Sequence, residues 1–289
     1  MLGPISARTF LWSMQRISSN EELASHWLHH YGALGIRMRT HAHIVVHATS
    51  EQERTRARTL LDEHGVSRIQ FVPEFSSAIK TALVNDFIAR ELPLDGLLIY
   101  SDADEFFSYP PDVLKLSRQS YAICSSMVDR LASDLNVPRL RAWSEQAPLS
   151  QQFPICAPLR QRIASSGGWM KLTLLRARIR GVPPVFVNTH VAIVNLTRRV
   201  IRIGGNGQRL CAYTGGFSHF MHSQQGYAML RSKLALYQKM RRMVSVRVYK
   251  AHLRLVEQVK GGKERFTPTA AALIRNASVP CTGTLSMVS

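Results

Sequence analysis

The chain has 289 residues, is 45% apolar and carries a formal net charge of +18. That length and apolar share exclude a disordered chain and suit one large α/β domain or two small ones. The charge calls for anionic company, whether nucleic acid, an acidic membrane face or a phosphate-rich substrate.

The first 110 residues alternate strand-like and helix-like segments. Thr9 to Met14 predicts a strand. Asn20-Glu21-Glu22 then opens a helix through Trp27, Leu28 and Tyr31, with Asn20 as N-cap and acidic residues in the first turn, ended by Gly32 and Gly35. His43 to His47 predicts a second strand, and Ser50 caps a charged helix that reaches about His64. Arg68 to Val72 follows as a third strand. Ser76 or Ser77 starts a helix carrying Lys80, Leu83, Val84, Phe87 and Ile88 at helical spacing, and Leu97 to Tyr100 is a fourth strand. Such repeats predict a mostly parallel sheet flanked by helices, with ligands bound beyond the carboxyl ends of the strands. His41, His43 and His47 alternate along the second strand; with no carboxylate beside them they read as a partly exposed face.

After Pro110-Pro111 the rhythm changes. Tyr121 to Val128 predicts a strand, and residues 133 to 166 loops and short helices. Trp169 to Leu175, Val185 to Val187 and Val191 to Val194 predict a mixed sheet. Gly204-Gly205-Asn206-Gly207 and Gly215-Gly216 read as turns, and a long helix runs from about Gln224 to Val259. This divides the chain into residues 1–110, residues 111–265 and a loosely held tail, 266–289, with the first two forming one continuous domain. Cys124, Cys156, Cys211 and Cys281 show no zinc spacing, and buried free thiols are the expectation. The sequons at Asn195 and Asn276 matter only in a secretory compartment. No apolar run approaches the roughly 18 residues of a membrane span, and MLGPISARTFLWSMQ lacks the apolar stretch of a signal peptide.

The chemistry concentrates in GLLIYSDADEFFSYPP, residues 96 to 111. Asp102, Asp104 and Glu105 crowd together where the fourth strand ends, and like charges so close repel unless something positive sits among them. Asp102 and Asp104 project to one side of an extended segment and can hold one Mn²⁺ or Mg²⁺, which shares its other positions with substrate phosphates. A solvated turn is the plainer account of a DxD.

Ser101-Asp102-Ala103-Asp104-Glu105-Phe106 resembles the D-x-D-E-F motif of the glycosyltransferase family 2-like proteins of the A-type fold. Four further stretches resemble that family in the same order: Asn20-Glu21 with Trp27 to Tyr31 and Gly35, Met127 to Asp134, Gln152-Phe153-Pro154 with Lys171-Leu172, and Phe217 to Phe220 before a basic helix. The likeness spans residues 10 to 240. It implies a nucleotide-sugar-binding half followed by an acceptor-binding half, with a mixed acceptor-side sheet and a long C-terminal helix. By this resemblance Asp102 and Asp104 bind the metal and His219 completes its shell, while Asn20, Glu21, Lys80 and Asp102 contact the donor. Asp129 is the expected general base, Glu105 the second candidate and His190 the third; Arg130, Lys171, His190 and Arg231 are expected on the phosphate or acceptor side.

Each of these residues has a plainer role as well. Asn20 and Glu21 can simply cap their helix, and Lys80 can sit on the surface. Asp129 can pair with Arg130, and His219 can bond backbone. The sequence departs from the family at His47-Ala48-Thr49-Ser50, which lacks an aspartate to read the base, and at Asn188-Thr189-His190. The resemblance implies a nucleotide-sugar donor and a glycan or other hydroxyl acceptor, with basic patches able to meet a membrane surface and no specific nucleic acid. Either the Golgi lumen or a bacterial cytoplasmic membrane suits such an enzyme. Two other readings stand beside it: an inactive homologue, and a non-catalytic basic protein binding RNA or another polyanion, with Tyr227, Tyr237 and Tyr249 among basic residues. A metal phosphohydrolase would need more His and Asp ligands than the chain offers.

Overall fold

The computed structural model describes residues 8–110, 112–113, 115, 117, 120–133, 138–157, 170–188, 191–196, 199–204, 211–219, 223–239, scattered positions from 246 to 257, and 279–280. Its elements in chain order begin with β1 (Thr9–Gln15), α1 (Glu21–Ala33), α2 (Met38–His41), β2 (Ala42–His47), α3 (Glu51–Glu63), β3 (Arg68–Val72), α4 (Ser77–Arg90), β4 (Leu97–Tyr100) and β5 (Glu105–Phe106). They continue with β6 (Ala122–Leu131), α5 (Leu149–Gln152), β7 (Ile155–Ala157), β8 (Met170–Arg176), β9 (Val185–Asn188), β10 (Val191–Leu196), β11 (Arg199–Ile203), β12 (Cys211–His219), α6 (Gln224–Lys239) and β13 (Val279–Pro280). The chain divides into two compact units, Met1–Ser126 with Ser166–Phe217, and Met127–Ser165 with Ser218–Ser289.

The first unit is a mixed α/β structure on a mostly parallel sheet. β1 is central, parallel to β2 on one side and β4 on the other, and β3 extends the sheet beyond β2, also parallel. β8 then adds antiparallel to β4, and the start of β6 antiparallel to β8. The sequence TFLWSMQ is buried along its whole length, as a strand covered on both faces must be. Phe10, Trp12 and Met14 of β1 pack with Val84, Phe87 and Ile88 of α4, Leu98 and Tyr100 of β4 and Leu172 of β8 in one core. β9, β10 and β11 form a separate antiparallel sheet. It is tied to α4 by Asn85, whose Nδ2 donates to the Phe186 carbonyl at 2.9 Å and whose Oδ1 accepts from Phe186 N at 2.7 Å.

Local signals set the helix ends. Ser50 Oγ accepts from Glu53 N at 3.2 Å to start α3, and Gly65, at φ 71°, turns the chain after its end. Ser76 Oγ accepts from Ile79 N at 3.1 Å to start α4. Ser76→Ala is expected to lower stability by about 1 kcal/mol, read as a shift of the urea midpoint at unchanged slope. Asn20 does occupy the N-cap position of α1, but its side chain makes no capping bond.

In the second unit the end of β6 pairs antiparallel with β7, and β7 with β13. Two expectations are corrected. The chain runs as strand β12 through Gly215-Gly216, where the glycine pair predicts a turn. The expected long helix is described as α6 to Lys239, the described positions from 246 to 257 are helical too, and residues 240–245 lie outside the described residues. The described cysteines are not free thiols: Cys124 and Cys211 form a disulfide with Cα atoms 5.7 Å apart, and Cys156 is disulfide-bonded too, while Cys281 lies outside the described residues. Spacing could not reveal the first pairing, because its partners lie 87 residues apart. Among the described residues no helix is long and apolar enough to cross a membrane.

Candidate functional site

In the first unit the strand order reverses at β1, with β2 on one side and β4 on the other, so the carboxyl ends of β1 and β4 frame the crevice where α/β sheets bind ligands. Asn20 follows β1 there, and Ser101 to Glu105 follow β4. Buried Ser101 is the hub of this turn. Trp27 Nε1 donates to its Oγ at 3.1 Å and the Tyr31 hydroxyl donates to it at 2.9 Å, while Ser13 Oγ donates to its carbonyl at 2.7 Å. Tyr31 also lies 3.1 Å from the Glu105 carbonyl and accepts from Phe107 N at 3.3 Å, and His30 Nε2 bonds the Phe107 carbonyl at 2.9 Å. The run Trp27-Leu28-His29-His30-Tyr31 thus braces the carboxylate turn from α1. Both stretches are visible in the sequence but this connection is not, since it joins residues seventy or more positions apart.

His30 gives the brace a pH dependence. Burial outweighs its bond to Phe107 and lowers its pKa from 6.5 to about 4. The folded state therefore holds the neutral ring, and below pH 6.5 the unfolded chain binds the extra proton. The contribution is full above pH 6.5 and is lost as pH falls toward 4. Allowing for the ring's partial exposure, it amounts to about 2 kcal/mol. Denaturation of wild type and His30→Gln across this range should show wild type losing its advantage on acidification.

The carboxylates are answered by two lysines. Lys80 Nζ pairs with Asp102 Oδ1, and Lys171 Nζ lies 3.1 Å from Asp102 Oδ2 and pairs with Glu105 Oε2. Glu105 Oε2 also accepts from Asp102 N at 2.9 Å. Lys171 and Glu105 are 0% and 2% exposed, Lys80 3%, and Asp104 is buried as well, whereas the Asp102 side chain keeps 29% exposure. Both ammonium groups sit over the Tyr100 ring, 5.0 and 5.1 Å from its centre. Lys80 is therefore not a surface lysine. The signal was in the sequence, because Lys80 falls on the stripe of Val84, Phe87 and Ile88 that α4 buries.

The expected divalent ion can be tested against these donors. Each Asp102 oxygen faces an ammonium group, so an ion bound there would meet two like charges. A doubly charged ion about 4 Å from one ammonium is repelled by about 8 kcal/mol at an effective dielectric constant near 20. The Asp102 oxygens suit lysine partners and do not fit the ion. Among the described residues no three His, Cys, Asp or Glu side chains come together to hold a metal.

Asn20 is buried, and its Oδ1 has no hydrogen-bond partner. Glu21 follows it in the first turn of α1 and is partly exposed.

In the second unit β6 carries Asp129 and β12 ends at His219. They are 0% and 1% exposed, and His219 Nδ1 lies 2.9 Å from Asp129 Oδ1. His219, expected as a metal ligand, thus bonds a carboxylate. Arg130, which follows Asp129 on β6, donates from Nη1 to Cys156 Sγ, its register partner on β7, at 3.0 Å. Burial lowers the Arg130 pKa from 12.5 to about 10. Arg231 is exposed on α6, its guanidinium 5.9 Å from the Tyr227 ring centre. His190 lies outside the described residues.

No protein-family model matches the chain, and no curated protein matches it. Among solved structures, the crystal structure of S. aureus TarS 1-349 matches with a TM-score of 0.35 and 7% sequence identity. That match covers 79% of this chain and 64% of the TarS chain, so this chain spans less than two thirds of its length. At that score the likeness establishes no shared fold.

Proposed function

We propose that the protein is a glycosyltransferase of the A-type fold, moving a sugar with inversion from a UDP- or GDP-sugar to a glycan or other hydroxyl acceptor. The observation that carries this reading is the turn from Ser101 to Phe106: a D-x-D-E-F sequence at the carboxyl end of β4, at the sheet's switch point, braced by the Trp27–Tyr31 run with which it shares the family resemblance. Asn20 supports the donor assignment, since a buried oxygen with no partner is costly unless a ligand N–H can meet it. In this reading Asn20 and Glu21 face the nucleoside, and Asp102 and Lys80 the diphosphate and sugar.

In the transfer the acceptor oxygen bonds to the anomeric carbon as the bond to the diphosphate breaks. The electron pair leaves with the nucleoside diphosphate, and the acceptor's proton goes to a general base. Asp129 is the candidate base, its carboxylate oriented by His219. Glu105 is the poorer choice because its Oε2 is bonded to Lys171 and Asp102 N. Lys171 acts by holding the turn, while Arg130 and Arg231 stay as acceptor-side candidates. The net charge of +18 suits an anionic donor and an anionic acceptor or membrane surface alike.

The test is release of nucleoside diphosphate from UDP- and GDP-sugars in the presence of a panel of hydroxyl acceptors. Acceptor-dependent release with one nucleotide is the expected result. No release from any donor, with folded protein, would retire the reading. Retention of RNA that collapses steeply with salt would then put polyanion binding in its place.

A further inference from the structure

We infer that Lys80 and Lys171 close the Asp102 site to divalent cations, so that the D-x-D motif of this chain is a lysine-paired turn and nucleotide binding needs no metal. The nucleotide clause rests on the transferase reading; the exclusion of the cation does not.

A divalent ion recruits a carboxylate by offering positive charge to oxygens that have none nearby. At Asp102, Oδ1 has the ammonium of Lys80 and Oδ2 that of Lys171, and Lys171 is shared with Glu105. Two ammonium groups already balance these two carboxylates.

The lysines cannot easily yield their places. Lys80 and Lys171 are 3% and 0% exposed, and both rest against the buried Tyr100 ring. A metal that displaced either would leave a buried ammonium without its carboxylate, at the cost of its desolvation. The two lysines arrive from separate elements, α4 and β8, with the turn bonded to α1 between them, so the arrangement is part of the packed unit. Asp102 and Glu105 can therefore sit together without an ion.

The test reads bound Mn²⁺ from the loss of its free electron-paramagnetic signal, with full-length wild type, Asp102→Asn and the double variant Lys80→Met/Lys171→Met. Wild type should show no binding that Asp102→Asn removes. The double variant, relieved of two like charges, should bind Mn²⁺ at least about tenfold more tightly than wild type. Micromolar Mn²⁺ binding by wild type that is lost in Asp102→Asn would overturn the inference, whether or not the double variant folds. A folded double variant that gains nothing would overturn the role given to the lysines.

Titration of UDP and GDP into wild type, with Mn²⁺ and with EDTA, separates this inference from the reading beneath it. Binding unchanged by EDTA supports the inference. Binding that requires Mn²⁺ overturns it while the transferase reading stands. Binding of neither nucleotide under either condition overturns the nucleotide clause together with the transferase reading, and the Mn²⁺ result alone then decides the cation clause.

Discussion

Replacing Lys171 with methionine should destabilise the protein by about 3–5 kcal/mol, a large share of the stability of a typical domain. Methionine fills much of the same volume on β8, so the loss is electrostatic in origin. Glu105, 2% exposed, would keep only the Asp102 amide, and Asp102 would keep only Lys80. A buried carboxylate stripped of its cation is far costlier than a pair that was never buried. Adding Glu105→Gln to Lys171→Met should recover a good part of the loss, because the amide no longer needs the ammonium. Chemical denaturation of the two single variants and the double closes the cycle. Additive losses, with no recovery in the double variant, would show that the pair is not coupled. Lys80→Met should cost less than half as much, since Asp102 can turn its exposed side to water.

Asp129→Asn should lower turnover by about 10²–10⁴-fold while leaving donor binding unchanged. Asparagine keeps the shape of the side chain but cannot accept the acceptor's proton, and it removes the charge opposite His219 Nδ1. If the two residues act as one unit, His219→Ala should cause a similar loss and the double variant little more. A merely structural pair behaves otherwise: the melting temperature falls while kcat and KM of the folded fraction stay at wild-type values.

Much of the fold was legible in the sequence because it rests on local patterns. The apolar runs of β1 to β4, the Ser50 and Ser76 caps and the Gly65 stop each act within a few residues, and the structure follows them closely. What was not legible depends on pairings across the chain. Lys171 approaches Asp102 from 69 positions away, and Cys124 meets Cys211 across 87. Lysine, moreover, reads as a surface residue unless the stripe it belongs to is taken at face value. Gly215-Gly216 misled in the opposite way: a glycine pair usually turns the chain, yet here it continues as strand β12. At the candidate site the position of the carboxylate turn could be read from the end of an apolar run. What neutralises it could not, since nothing local in residues 96 to 111 distinguishes a metal from two lysines supplied by other elements.

The measurement that bears most directly on the central claim is equilibrium binding of UDP and GDP to wild type and to Asn20→Ala, at fixed moderate salt. The structure brings a buried, partnerless Asn20 oxygen to the carboxyl end of β1, beside the braced turn that follows β4. Saturable binding of one nucleotide to wild type, weakened at least about tenfold in a folded Asn20→Ala as expected when a buried hydrogen bond to a ligand is lost, is the predicted result. No binding of either nucleotide to folded wild type would contradict the account, as would binding that Asn20→Ala leaves untouched.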